Sequence, residues 1–140
     1  MNWDKAIHDF KSYLKIEKSL SENSIEAYIH DVSHLGRFCN SQSTPLSPEQ
    51  VSMNDIETFL AYLHDFDINP RSQARIISGI KAFYFFLELN DWISENPTIL
   101  ISTPRLDKKL PTILSVEEID DLIRAVDVSK PDGHRNRAML

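Results

Sequence analysis

The stretch RSQARIISGIKAFYFFLEL, from Arg71 to Leu89, decides how this chain folds. On a helix of about 3.6 residues per turn, its large apolar side chains fall together on one side. They are Ile76, Ile77, Ile80, Phe83, Tyr84 and Leu87. This pattern predicts a helix whose inner side packs into a core.

The opposite side of the same helix carries cationic, hydroxyl and very small side chains: Arg71, Ala74, Arg75, Ser78, Lys81 and Ala82. No acidic residue lies between Asp67 and Glu88, although the chain has a formal net charge of -6. A basic face in an acidic chain indicates a polyanionic partner, and small side chains let the backbone approach phosphates closely. The first turns therefore predict insertion into a DNA groove. An ordinary amphipathic helix with a solvated cationic face is the alternative.

Two large apolar residues, Phe85 and Leu89, continue this outer side towards the end of the helix. A solvated face does not need them. We therefore expect protein to cover the last turns while the first turns stay free.

Composition narrows the classes of function. The chain has 140 residues, of which 41% are hydrophobic, and only three glycines. The sequence contains neither the G-x-G-x-x-G motif nor the Walker motif of nucleotide-binding proteins, so no cofactor is expected. The single cysteine, Cys39, excludes an intrachain disulfide and a thiolate zinc site, and fits a cytoplasmic protein with Cys39 in its core. The N-terminal residues do not resemble a signal peptide, and no membrane contact is expected.

Apolar periodicity predicts three further helices before the basic one. The first runs from about Asn2 to Lys18, the second follows a cap within residues 20–24 and ends near Asn40, and a short third helix is capped by Asn54. The basic helix stops between Asn90 and Trp92. No segment up to Leu100 alternates with a period of two, so the fold class is predicted to be all-α.

The last forty residues have a different organisation. Residues 98–111 lack a helical stripe and contain prolines and a basic cluster, which predicts a linker. Ser115 and Glu118 form a capping box for a fifth helix that ends near Asp127. A turn at residues 129–133 precedes a sixth helix from Arg135.

The order of these elements resembles that of the tyrosine site-specific recombinases of the Xer type. The residues that carry the resemblance lie along nearly the whole chain: Leu20-Ser21-Glu22-Asn23-Ser24 with Ala27-Tyr28, Ser72-Gln73-Ala74-Arg75 with Ser78 and Lys81-Ala82-Phe83-Tyr84, Glu95-Asn96-Pro97, Pro104-Arg105, Leu110-Pro111, Leu114-Ser115 and Arg135-Asn136-Arg137-Ala138-Met139-Leu140.

The resemblance implies a four-helix SAM-like core-binding domain over residues 1–101, a linker over 102–112 and the beginning of a catalytic domain over 113–140. It implies one half of a clamp on double-stranded DNA, at a half-site of an inverted repeat, with other recombinase subunits as partners in recombination or integration. The DNA contacts that it implies are Asn23, Ser24, His30, Arg71, Ser72, Arg75, Ser78 and Lys81.

The same resemblance implies that the cleaving tyrosine and its assisting residues lie beyond Leu140. The four tyrosines present, at positions 13, 28, 62 and 84, fall among apolar helix positions and are expected in the core or at its boundary.

Three alternatives remain open. Relatives often carry two arginines where this chain has Ile29-His30, so His30 and His34 either donate to phosphates or are simply solvated. Glu26, His30 and His34 have the spacing of a helical metal site, although no further ligand is evident. Finally, the helices could form a protein-interaction module that does not bind DNA.

Overall fold

The computed structural model describes residues 1–65, 68–104 and 113–139. The chain divides into two compact units, Met1–Leu106 and Asp107–Leu140. In the first, the helices are α1 (Trp3–Ile16), α2 (Glu22–Ser41), α3 (Met53–Asp65) and α4 (Pro70–Leu89), with a short 3-10 helix at Pro48–Gln50. In the second they are α5 (Val116–Ala125) and α6 (Gly133–Met139). The described residues contain no strand, which confirms the all-α fold class.

The core of the first unit forms where α4 packs against α2 and α1. All six apolar residues predicted for the inner side of α4 are buried. The core also holds Phe10, Ile25, Leu35 and Cys39, all with no exposed surface. Core placement of Cys39 is therefore confirmed. Burial of this apolar surface is the main stabilising contribution to the unit.

The end of α4 differs from the prediction. Phe85 and Leu89 are 50% and 56% exposed, so the expected protein cover does not come from the part of this chain that the structure describes. Phe86 is buried instead, and its ring centroid lies 5.0 Å from that of Tyr13 and 5.5 Å from that of Phe10. Ala74, predicted for the outer side, is also buried, because it lies one turn before Ile77 and shares its side.

Helix capping explains most of the helix boundaries. The side chains of Asn2 and Ser21 accept hydrogen bonds from the backbone N–H groups of Lys5 and Ser24. At the start of α3 the cap is Ser52, not Asn54: the Ser52 hydroxyl accepts from the Asp55 N–H at 3.3 Å, while the Asp55 carboxylate accepts from the Ser52 N–H at 2.8 Å. This reciprocal pair satisfies the backbone donors of Ser52 and Asp55.

The loop between α2 and α3 is tied to the beginning of the chain. The indole Nε1 of Trp3 donates to the Leu46 carbonyl at 2.8 Å, and the N-terminal amine lies 2.8 Å from the carboxylate of Glu49. Close approach of α1 and α2 depends on Gly36, where a Cβ atom would lie 3.0 Å from the Trp3 ring.

In the second unit, the capping box of Ser115 and Glu118 is present, which confirms that prediction. Helix α5 ends at Ala125 and α6 begins at Gly133, close to the predicted boundaries, and α5 has no buried side chain. The basic cluster of the predicted linker, Arg105, Lys108 and Lys109, lies outside the described residues. None of the helices in the described ranges is long and apolar enough to cross a membrane.

Candidate DNA-binding surface

A single outer stripe runs along α4 and changes character on the way. Arg71, Arg75 and Ser78 are exposed at its start, and Phe85 and Leu89 are exposed at its end. Ser72 and Lys81 lie beside the stripe and are half-buried. The polar start and apolar end predicted from the sequence are therefore both present, although Lys81 is less available than predicted.

The start of α4 carries a cation where a helix does not favour one. The Asn69 side chain accepts from the Arg71 N–H at 2.9 Å, Pro70 occupies the first turn, and that turn contains no acidic residue. The positive end of a helix dipole disfavours a cation nearby. The helix dipole therefore does not stabilise the charge of Arg71, which adds to the positive end of α4.

Arg75 forms an ion pair with an acid that the sequence reasoning missed. Its Nη1 donates to Asp31 Oδ2 of α2 at 2.6 Å. The Asp31 side chain is 2% exposed, whereas that of Arg75 is 49% exposed. Burial raises the pKa of Asp31, and the neighbouring Arg75 guanidinium opposes that rise without cancelling it. Asp31 lies between Tyr28 and Leu35 at helical spacing, which was the available signal of its burial.

Two histidines of α2 lie next to this pair. The ring centroids of His30 and His34 are 4.4 Å apart, and His30 Nδ1 is 3.8 Å from Asp31 Oδ1. Burial, with His30 and Arg37 as smaller contributions, lowers the pKa of His34. The lowered pKa favours the neutral form of His34. The exposed His30 remains a candidate contact. Arg37, exposed on the same face, is a further cation absent from the predicted contacts.

The described residues contain no group of three histidine, cysteine, aspartate or glutamate side chains that could hold a metal ion. The spacing of Glu26, His30 and His34 along α2 therefore does not produce a metal-binding geometry.

The predicted contacts on α2 do not all lie near the start of α4. The two helices are antiparallel, since Asp31 lies against Arg75 and Tyr28 lines a cavity together with Phe85. Asn23 is about 12 Å along α2 from Asp31, towards the far end of α4. Ser24 is beside it, and its hydroxyl lies 2.9 Å from that of Ser21 in the helix cap. The structure thus gathers His30, Arg75 and Ser78 and separates Asn23 and Ser24 from them.

Two of the tyrosines are core residues, as predicted. Tyr84 has no exposed surface and its hydroxyl donates to the Pro48 carbonyl at 3.2 Å. Burial raises the pKa of Tyr84 well above its usual value, so its hydroxyl is poorly suited to act as a nucleophile. Tyr13 is 7% exposed and packs on Phe10 and Phe86.

Comparison with known proteins gives a consistent result. Residues 7–90 match the family described as phage integrase, N-terminal SAM-like domain. The chain is 34% identical over 134 residues to the tyrosine recombinase XerD of Listeria innocua, covering 96% of this chain and 45% of that protein. It is 34% identical over 139 residues to the tyrosine recombinase XerC of Bacillus pumilus, which covers 99% of this chain and 45% of that protein. It is 37% identical over 139 residues to the XerC of Anoxybacillus flavithermus, covering 99% and 46%.

The chain therefore spans less than half the length of these curated relatives. The family match extends from the middle of α1 to the end of α4, and so includes both helices of the candidate surface. On this evidence, the chain belongs to the family of phage integrase N-terminal SAM-like domains.

Proposed function

We propose that this chain binds double-stranded DNA sequence-specifically, as the N-terminal half of the clamp of a Xer-like tyrosine recombinase. The observation that carries the proposal is the exposed start of α4: Arg71 and Arg75 are both exposed, the first turn contains no acidic residue, and Asp31, which pairs with Arg75, is buried on the neighbouring helix. Cationic side chains on one helix, with short polar ones between them, suit contact with phosphates and base edges in the major groove.

The domain organisation belongs to the same proposal. Residues 1–101 form the core-binding domain, 102–112 the linker and 113–140 the start of a catalytic domain. In this organisation the parent protein is the recombinase, and the residues that cleave DNA are not among these 140. The chain itself binds without cleaving, and its partners are a half-site of an inverted repeat and other recombinase subunits. The share of the relatives that the chain covers supports this assignment.

A titration of duplex DNA with the chain, followed by fluorescence anisotropy, tests the proposal. Affinity should fall steeply as salt rises, because binding releases counterions from the phosphates. Arg71→Ala should weaken binding, whereas Lys11→Ala, which removes an exposed cation from α1, should not. Absence of binding, or binding that does not depend on salt, would contradict the proposal.

The exposed end of α4 supports a second candidate, a protein-interaction module. Phe85 and Leu89 are large, apolar and about half exposed, which is typical of a contact with another protein. Sedimentation of Phe85→Ala and DNA titration of Arg75→Ala separate the two functions. Loss of self-association in the first variant, with no DNA binding by the unaltered chain, would favour the module.

A further inference from the structure

The pair of Arg75 and Asp31 fixes one cation of the candidate surface in place. One N–H of the guanidinium donates to Asp31 Oδ2 at 2.6 Å, which leaves the remaining donors of its planar fork for another partner. Half of the Arg75 side chain is exposed, so those donors are accessible from solvent.

Asp31 is itself held firmly. It is almost fully buried, and a Cβ atom at Gly79 of α4 would be 3.1 Å from its Cβ and Oδ2. Its second oxygen, Oδ1, has no hydrogen-bond partner among the described residues, with His30 Nδ1 3.8 Å away. A buried carboxylate with one unsatisfied oxygen contributes little to the stability of a fold. A protein with well-packed apolar residues in place of such an ion pair is often equally stable. What the pair supplies is a guanidinium of fixed position and direction.

Arg71, one turn earlier, has the opposite character. It is exposed, and its side chain forms no ion pair or hydrogen bond within the described residues. A free arginine can follow a phosphate backbone, which has the same charge at every sequence. A fixed arginine cannot adapt to each sequence, but it can match the two acceptors of a guanine in the major groove, O6 and N7.

We propose, building on the DNA-binding function above, that Arg75 reads a guanine in the major groove, that Asp31 is its positioning residue, and that Arg71 contacts the phosphate backbone. Asp31 does not touch DNA in this arrangement. It sets the direction of Arg75 and lowers the entropy lost when the fork binds a base.

The test is a selection from duplexes with a randomised central segment, using the 140-residue chain. The selected duplex is then titrated beside a copy in which the preferred G·C pair is replaced by A·T. The variants are Arg75→Lys, which keeps the charge and removes the fork, Asp31→Asn, which keeps the shape, and Arg71→Ala. Glu26→Gln is the matched control, because it removes one acidic charge from the exposed side of α2. Circular dichroism verifies that each variant is folded.

The unaltered chain and Glu26→Gln should prefer the G·C pair by about tenfold. That preference should fall to about twofold or less in Arg75→Lys and Asp31→Asn, while Arg71→Ala keeps it and binds both duplexes more weakly, with a salt slope lower by about one. If Asp31→Asn does not fold, the G·C preference of Arg75→Lys alone tests the inference.

An unchanged preference in Arg75→Lys would overturn this inference and leave the proposed function intact. Loss of the preference in Arg71→Ala instead would have the same meaning, as would the absence of any G·C preference in the unaltered chain. If the unaltered chain bound no duplex at all, both this inference and the proposed function would be wrong.

Discussion

Gly79 of α4 and Asp31 of α2 lie so close that a Cβ atom added to Gly79 would be 3.1 Å from both Cβ and Oδ2 of Asp31. This contact sets the separation of the two helices that carry the candidate surface. Asp31 is also the residue whose carboxylate pairs with Arg75.

Replacement of Gly79 by leucine should therefore destabilise the chain. The side chain would have to enter the α2–α4 interface, and overpacking of this kind costs about 1–3 kcal/mol. Ser78→Leu is the matched control, because Ser78 is adjacent but exposed, and its free energy of unfolding should change by about 0.5 kcal/mol or less. Urea unfolding of both variants measures the difference, and equal stability of the two would show that the helices can separate without cost.

The end of α4 offers a stabilising substitution. Asp91 has a φ of 56°, in the left-handed region, and the N–H groups of Asp91 and Trp92 donate to the carbonyls of Glu88 and Leu87. Glycine is the residue that best fits this position of a helix end. Asp91→Gly should raise the free energy of unfolding by about 0.5–1 kcal/mol.

Glu57→Gly provides the comparison for that substitution. Glu57 is exposed inside α3, where glycine costs about 1 kcal/mol relative to a good helix former. The midpoint temperature of thermal unfolding should thus rise in Asp91→Gly and fall in Glu57→Gly. A loss of stability in both would mean that the left-handed conformation at Asp91 is not a constraint on the folded chain.

Stability should depend on pH through Asp31 in an unusual direction. Burial raises the pKa of its carboxyl above the usual value of 3.8, and Arg75 opposes this without reversing it. The folded chain therefore holds this proton more tightly than the unfolded chain. The stability that Asp31 contributes is present below pH 3.8 and is lost as pH rises through its folded-state pKa.

The measurement is urea unfolding of the unaltered chain and Asp31→Asn between about pH 7 and about pH 4. The free energy of unfolding of the unaltered chain minus that of Asp31→Asn should increase as pH falls. Groups that do not interact with Asp31 cancel in this difference, whereas His30 and His34 lie beside Asp31 and contribute through their interaction with it. A decrease towards low pH would mean that Arg75 holds the pKa of Asp31 below its usual value.

The thiol of Cys39 should be unreactive in the folded chain. Burial, with Asp55 as a smaller contribution, raises its pKa to about 11, and its side chain has no exposed surface. Since the thiolate is the reactive form, a disulfide reagent should modify Cys39 only as fast as the chain unfolds. Ser43→Cys, in the exposed loop after α2, should add one thiol that reacts at once. Rapid modification of both thiols would show that the core opens readily.

The sequence predicts the elements of this fold better than it predicts their pairing. The inner side of α4 follows from periodicity alone, because every large apolar residue there is separated by helical spacing. The partner of Arg75 could not be found this way, since Asp31 is 44 residues away and belongs to another helix. The choice of Ser52 over Asn54 as a cap could have been predicted, because Ser52 and Asp55 have the same spacing as the capping box of Ser115 and Glu118. The predicted DNA contacts remain predictions.

If DNA binds across the start of α4 and the part of α2 that faces it, the amide chemical shifts of these residues should change during a titration with duplex DNA. Shift changes should concentrate at Arg71, Ser72, Arg75 and Ser78 and at His30, with smaller changes at Asn23 and Ser24. Changes confined to α3 or to the apolar end of α4 around Phe85 and Leu89, or no changes at saturating DNA, would show that this surface does not bind DNA.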